Sequence, residues 1–208
     1  AGVASIPAVG RQNNSMANMV KAYLIKTKAE SQAVHVVTRL DRDTSGLMVF
    51  AKHGLAHSLL DQQLHSQDFV KQYVAIVTAQ TPLATHGWIV LPIGVSDGFY
   101  MRRVVTDTGK ASVTEYRTLD QNKAGAMMLV TLHTGRTHQI RVHFAAIGHA
   151  LYGDGLYSPD THGFNRQALH CAHLRFWQPL KHKLIDLHAP LPADMATLAA
   201  KLRLSQQD

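Results

Sequence analysis

A single cysteine, Cys171, stands among 208 residues, so no disulfide can close within the chain and no paired-cysteine metal motif exists. Such sparing use of thiols fits a reducing compartment. Proline is equally thin, with 7 residues and no Pro-rich or low-complexity stretch to mark a linker. No apolar run approaches the ~20 residues of a membrane-spanning helix, and the opening residues lack the charged start and apolar stretch of a secretory signal. A soluble, cytoplasmic protein is expected. The chain begins at Ala1 without an initiator methionine, which leaves room for a longer gene product. Acid is also short: 14 Asp and Glu stand against 21 Lys and Arg, a net charge of +7, and 14 histidines can add positive charge beside a polyanion. This excess points to nucleic acid as the partner, ahead of an anionic membrane, for which there is no basic amphipathic helix.

What is present is enough chain for one substantial domain, which would bury roughly 70% of its unfolded surface. Apolar residues at helical spacing predict helices over 16–28, 53–66, 137–147 and 194–204. Ser15 and Thr137 are the expected N-caps of the first and third, and Gly148 closes the third. The stripe Met16, Met19, Val20, Tyr23 and Leu24 reads as core. Runs rich in β-branched and aromatic residues predict strands over 34–37, 47–51, 69–78, 87–93, 101–105, 113–119, 126–132, 168–176 and 183–188. Strands outnumber helices and follow one another in meanders. The expected class is α+β, with a mixed, mostly antiparallel sheet core and flanking helices. No internal repeat is evident, and residues 1–208 read as a single domain.

Two stretches concentrate polar chemistry. Residues 37–46, V-T-R-L-D-R-D-T-S-G, place Asp41 between Arg39 and Arg42 in a loop between two short strands. Nearby positive charge favours an ionised carboxylate, which suits a nucleophile or an anion stabiliser and not a proton donor. Taken alone, such a loop is more often a solvated turn with a surface ion pair. Residues 134–143, T-G-R-T-H-Q-I-R-V-H, lie at a strand-to-helix junction, where free N–H groups and the helix dipole receive anions. Arg136 precedes the expected cap, and His138 and Arg141 fall one turn apart. Arg141 sits between Ile140 and Val142, where an unpaired cation is costly; a buried partner is expected, and Asp41 is the candidate.

With both clusters in view, the sequence resembles the RluA family of RNA pseudouridine synthases. The resemblance rests on R-L-D-R-D-T-S-G at 39–46, K-Q-Y at 71–73, G-K-A-S-V-T-E-Y at 109–116, G-R-T-H-Q-I-R-V-H at 135–143, G-D at 153–154 and A-L-H at 168–170. These occur in the family's order over nearly the whole chain. The resemblance implies the pseudouridine synthase catalytic domain as the fold. It further implies isomerisation of uridines in structured RNA without a cofactor or metal, with 23S ribosomal RNA the expected substrate and transfer RNA the alternative. Asp41 matches the catalytic aspartate, Tyr73 the tyrosine that stacks on the target base, and Arg141 the arginine paired with the aspartate. Arg39 matches the arginine that enters the RNA where the nucleotide leaves its stack. Lys71, Arg136, His138 and the Arg102-Arg103 pair are candidates for RNA contact by charge and position. Thr38 and Gln178 stand where the family often has histidine. The strand pair that normally opens the domain and the small basic RNA-binding module of many members are not seen, and no obligate protein partner is evident.

Other chemistries find less support. His133, His138, His143 and His149 are close in sequence but lack a recognised ligand spacing. Cys171 lies between His170 and His173, yet a lone cysteine in a strand is ordinarily core. A noncatalytic RNA-binding module would explain the charge, but not a carboxylate in the middle of the basic cluster, which would repel phosphate.

Overall fold

A computed structural model describes residues 1–7, 14–96 and 98–205, apart from the side chains of 99–101. Along the chain run α1 (Met16–Lys26), β1 (His35–Val36), β2 (Ser45–Gly46), β3 (Phe50–Ala51), α2 (Gly54–Leu64), β4 (Val70–Val77) and β5 (His86–Val90). Then come β6 (Ile93–Ser96), β7 (Phe99–Val105), β8 (Val113–Asn122), β9 (Gly125–Leu132), α3 (Gln139–Ala146), β10 (Leu169–Gln178), β11 (Lys183–His188) and α4 (Ala193–Lys201). The ladders β1 with β3, β4 with β9, β5 with β8, β6 with β7, β8 with β9 and β10 with β11 are all antiparallel. The class is α+β, as the meanders predict. The chain divides into two compact units, Ala1–Val70 with His173–His188, and Lys71–Ala172 with Ala189–Asp208.

In the first unit, the two valine-rich runs pair as β1 and β3, with His35 opposite Ala51 and Val36 opposite Phe50. Ser15 caps α1 as expected, its hydroxyl accepting from Asn18 N at 3.3 Å. The helix ends where Thr27 and left-handed Lys28 (φ 51°) take over. Its apolar stripe does not form core: Leu24 is buried, but Met19 is 47% and Tyr23 55% exposed. Helical periodicity shows that one face is apolar; it does not show that anything covers it. Helix α2 begins at His53, whose Nδ1 accepts from Ala56 N, and buries Ala56 and Leu60. Phe69 stacks on Phe176 with ring centroids 5.1 Å apart. Residues 8–13 of the opening segment lie outside the described residues.

The second unit is built on β4. Its last five residues, 73–77, are all buried, because both faces of the strand are covered. A strand sandwiched in this way needs apolar residues at every position and not at alternate ones. On one face Val74 and Ile76 pack with Met127 against Met195, Leu198 and Ala199 of α4. On the other, Tyr73 lies opposite Val130, which is also opposite Tyr116, and Tyr116 meets Phe144 of α3 with ring centroids 5.7 Å apart. Full burial of a side chain such as Ile76 contributes about 1.5–3 kcal/mol. Cys171 is buried in this unit as a core residue. Beyond β4, Ile76 N donates to Ala168 O just before β10 begins. The predicted strand over 87–93 is two strands, β5 and β6, broken at Leu91-Pro92. Proline has no N–H to continue a ladder. Gly109 lets the chain pass against β6, since a Cβ there would lie 2.6 Å from the Ile93 carbonyl carbon.

Candidate active site

In the first unit, the loop between β1 and β2 carries Arg39, exposed, and Asp41, half-buried. The backbone on either side of Asp41 is held by the opening segment. The Ser5 hydroxyl accepts from Leu40 N at 3.0 Å and donates to Leu40 O at 2.6 Å, and Gly2 N donates to Arg42 O at 2.9 Å. Thr44 N closes the turn onto Asp41 O at 2.9 Å. Thr38 is buried, its hydroxyl accepting from Val49 N at 2.9 Å, so its side chain serves the loop internally. Arg42 pairs with Asp43, Nη2 to Oδ2 at 2.8 Å, which raises the guanidinium's pKa through that hydrogen bond first and the charge second. No local pattern marks Ser5 as the brace of this loop, because the contact spans thirty-five residues.

In the second unit the site is organised by Gln139, 2% exposed, the first residue of α3. Its Oε1 accepts from Arg136 N at 2.9 Å and from the Thr134 hydroxyl at 2.8 Å. Its Nε2 donates to Val113 O and to Thr114 Oγ1, both at 3.0 Å. All four hydrogen-bonding positions of the amide are therefore used, and the loop 134–138 is fixed to β8. The relay continues inward. His143 Nε2 lies 3.0 Å from Leu91 O, and a carbonyl can only accept, so Nε2 carries the proton and Nδ1 accepts from Thr114 Oγ1 at 2.8 Å. Burial lowers the pKa of His143 below 6.5, opposed in part by the Leu91 bond.

The helix does not begin at Thr137. His138 is its N-cap, in the left-handed region at φ 59° and without a side-chain cap, and the helix runs from Gln139 to Ala146. Two consequences follow for the expected anion-receiving terminus. The Arg136 N–H is taken by Gln139, and His138 points its ring to Tyr157, Nδ1 lying 2.8 Å from the hydroxyl.

Tyr157 also accepts from Arg103 N at 2.8 Å. The Arg141 guanidinium carbon lies 5.0 Å from its ring centroid, and that of Arg102 at 5.9 Å. Arg141 is 7% exposed and forms a two-pronged pair with Asp154, Nε to Oδ2 at 2.7 Å and Nη2 to Oδ1 at 2.9 Å. Asp154 is thus a buried carboxylate for two of its N–H groups. Asp154 itself is 1% exposed and is presented by Gly153, whose φ of 71° and whose Cβ position, 1.9 Å from Arg166 O, admit only glycine. The outcome is a buried guanidinium fixed by a fork and laid on an aromatic ring.

The remaining predicted residues are placed as follows. Tyr73 is buried on β4. Lys71, at the start of β4 in this unit, has its ammonium 3.7 Å from a Cβ position on Gly135, and burial lowers its pKa, offset in part by the neighbouring Cys171. Arg136 is exposed and donates Nε to Ala111 O at 3.2 Å. Arg102 is exposed and Arg103 half-buried. Asp154 and Tyr157 are the site residues that sequence reasoning passed over; the G-D motif was the available signal for the first, and the second had none. Gln178, where the family often has histidine, accepts from Lys181 N and closes the turn between β10 and β11.

The fold is shared with pseudouridylate synthases of known structure. Human RNA pseudouridylate synthase domain containing 4 superposes with a TM-score of 0.77 over 99% of this chain and 89% of that one, at 21% identity. Human RNA pseudouridylate synthase domain containing 1 gives 0.67 over 85% and 82%, at 22% identity. Sequence relationship is closer in bacteria. An uncharacterized RNA pseudouridine synthase of Bacillus subtilis is 43% identical over 201 residues, and ribosomal large subunit pseudouridine synthase D of Zymomonas mobilis is 36% identical over 220. The alignments cover 95% and 100% of this chain but 66% and 69% of those proteins, so the chain spans about two thirds of their length. The RNA pseudouridylate synthase family profile matches residues 1–146. The chain belongs to this enzyme family. Among the described residues no helix is long and apolar enough to cross a membrane.

Proposed function

We propose that this chain converts uridine to pseudouridine in RNA, with large-subunit ribosomal RNA as the substrate and Asp41 as the reacting carboxylate. The observation that carries the reading is the family match over residues 1–146, which contains Arg39, Asp41, Lys71, Tyr73, Arg136, His138 and Arg141. The substrate follows the relatives, several of which are named ribosomal large subunit pseudouridine synthase D. The reaction breaks the bond from ribose C1′ to N1 of uracil, turns the base and joins C1′ to C5; the C5 proton leaves and N1 gains one. Atoms and electrons balance with no redox partner, so protein side chains suffice. Asp41 supplies the anion, on a loop whose backbone is pinned at Leu40, Arg42 and Thr44. Arg141 supplies a fixed positive charge already oriented before substrate arrives, which is electrostatic preorganisation. Tyr73 stacks on the freed uracil. A paired base is inaccessible, so the nucleotide is flipped out at a cost of a few kcal/mol, with Arg39 filling its place. Lys71, Arg102, Arg136 and His138 contribute to holding the RNA.

Residues 1–208 are proposed to act as one catalytic domain. The test of substrate class is carbodiimide modification followed by primer extension on unmodified large-subunit ribosomal RNA and on bulk transfer RNA, each incubated with the chain. New stops confined to ribosomal RNA are expected. Stops only in transfer RNA would overturn the assignment of substrate, and stops in neither would overturn the activity.

A further inference from the structure

We propose that His173, Asp186 and His188 form a binding site for a borderline divalent transition-metal ion such as Zn(II), which clips β11 onto β10. The three residues lie in the first unit, on β10 and β11. The strand register assembles them. His173 and His188 are directly opposed in the β10–β11 ladder, and Asp186, two residues before His188, projects from the same face. The imidazole rings stack at 4.2 Å with an interplanar angle of 6°. Both direct Nε2 at a single carboxylate oxygen, Asp186 Oδ1, at 2.8 Å from His173 and 3.1 Å from His188.

Two imidazoles and a carboxylate form a donor set suited to zinc and its neighbours. The three donor atoms lie within 4.8 Å of one another. Tetrahedral bonds of about 2.0 Å place donors roughly 3.3 Å apart, so the remaining closure is small. His188, 72% exposed, is free to turn by that amount, whereas His173, 14% exposed, is held by its surroundings. Arg175, opposite Asp186 in the ladder, is the local opponent of a cation, but it is exposed and can swing into solvent. Three protein ligands leave a fourth position for water.

A clip has a purpose here. Of the six residues of β11 only Ile185 is even half-buried, so the strand is held by its ladder with little apolar support. The histidines considered from sequence, 133 to 149, did not include this trio, because no local spacing brings residue 173 to residue 188.

The test is titration of the untagged chain at neutral pH with Zn(II) against a chromophoric chelator, and with Co(II) followed by visible absorption. The parent is expected to bind one equivalent and to show the intense visible bands of tetrahedral Co(II), with a higher thermal unfolding midpoint in Zn(II). His188→Ala, an exposed position that leaves the fold intact, is expected to weaken binding by at least about tenfold and to abolish the bands. His173→Gln does the same if it folds, and His86→Ala, at the separate His86–Glu115–His133 cluster, changes nothing. No binding by the parent, or binding equally tight in His188→Ala, overturns the site.

Discussion

Asp154 shows how much depends on a side chain that no local pattern marks out. It is 1% exposed and holds two N–H groups of Arg141, itself 7% exposed. Removing one partner of a buried pair leaves the other charged and desolvated, so Asp154→Ala is expected to lower stability by about 3–5 kcal/mol in urea unfolding. Glu115, half-buried and paired with the exposed His86 and His133, is the contrast: Glu115→Gln is expected to change stability by less than about 1 kcal/mol. A result in which both substitutions cost the same would show that the Arg141–Asp154 pair is not the buried fixture described. The need for a partner at Arg141 was legible in sequence, because an arginine between Ile140 and Val142 has to be paid for somewhere. That Asp154 would answer was not, since that depends on how the chain returns after Gly153. Tyr157, touched by His138, Arg103 and Arg141, had no motif to announce it.

At the scale of elements, β4 was read almost to its ends, since a strand covered on both faces is apolar throughout and stands out in any sequence. The α1 stripe misled for the complementary reason: Met19 and Tyr23 follow the helical period yet face solvent. The start of α3 was displaced from Thr137 to His138 by a left-handed residue, and non-glycine residues in that conformation are not foreseeable from propensity. The loop carrying Asp41 was recognised as a loop between two short strands, but its fastening by Ser5 was hidden by distance along the chain. That fastening yields a prediction. Ser5→Ala strips Leu40 of its side-chain donor and acceptor, at a cost of about 1–3 kcal/mol where the groups are buried. Because the same bonds position the backbone beside Asp41, turnover is expected to fall about ten- to a hundredfold with RNA affinity unchanged. Loss of affinity with turnover intact would place Ser5 in RNA binding and not in positioning.

For the whole molecule, the antiparallel class and the basic charge were legible, whereas the weaving of the chain through two compact units was not, since no composition shift marks the crossings near residues 70, 172 and 188. The 14 histidines matter at this scale too. His143 and His170 have pKa values lowered from 6.5 in the folded state, in both cases by burial first. Below pH 6.5 the unfolded chain takes up protons that the folded chain refuses, so their contribution is complete above the unfolded value and is lost as pH falls toward the folded values. The unfolding free energy from urea titrations between about pH 7.5 and about pH 5.5 is expected to decline with pH, at up to about 1.4 kcal/mol per pH unit for each group. In His143→Gln the decline is expected to be shallower; an unchanged slope would remove His143 from the account.

The central claim is that Asp41 is the carboxylate of a uridine isomerase. Its most direct test is release of tritium from uridine labelled at ring carbon 5 in unmodified cellular RNA, comparing the chain with Asp41→Asn under single-turnover conditions at saturating protein. Release by the parent and none by the variant, with RNA binding retained in both, is the predicted result. Equal release by both would contradict the role of Asp41, and release by neither would contradict the proposed activity.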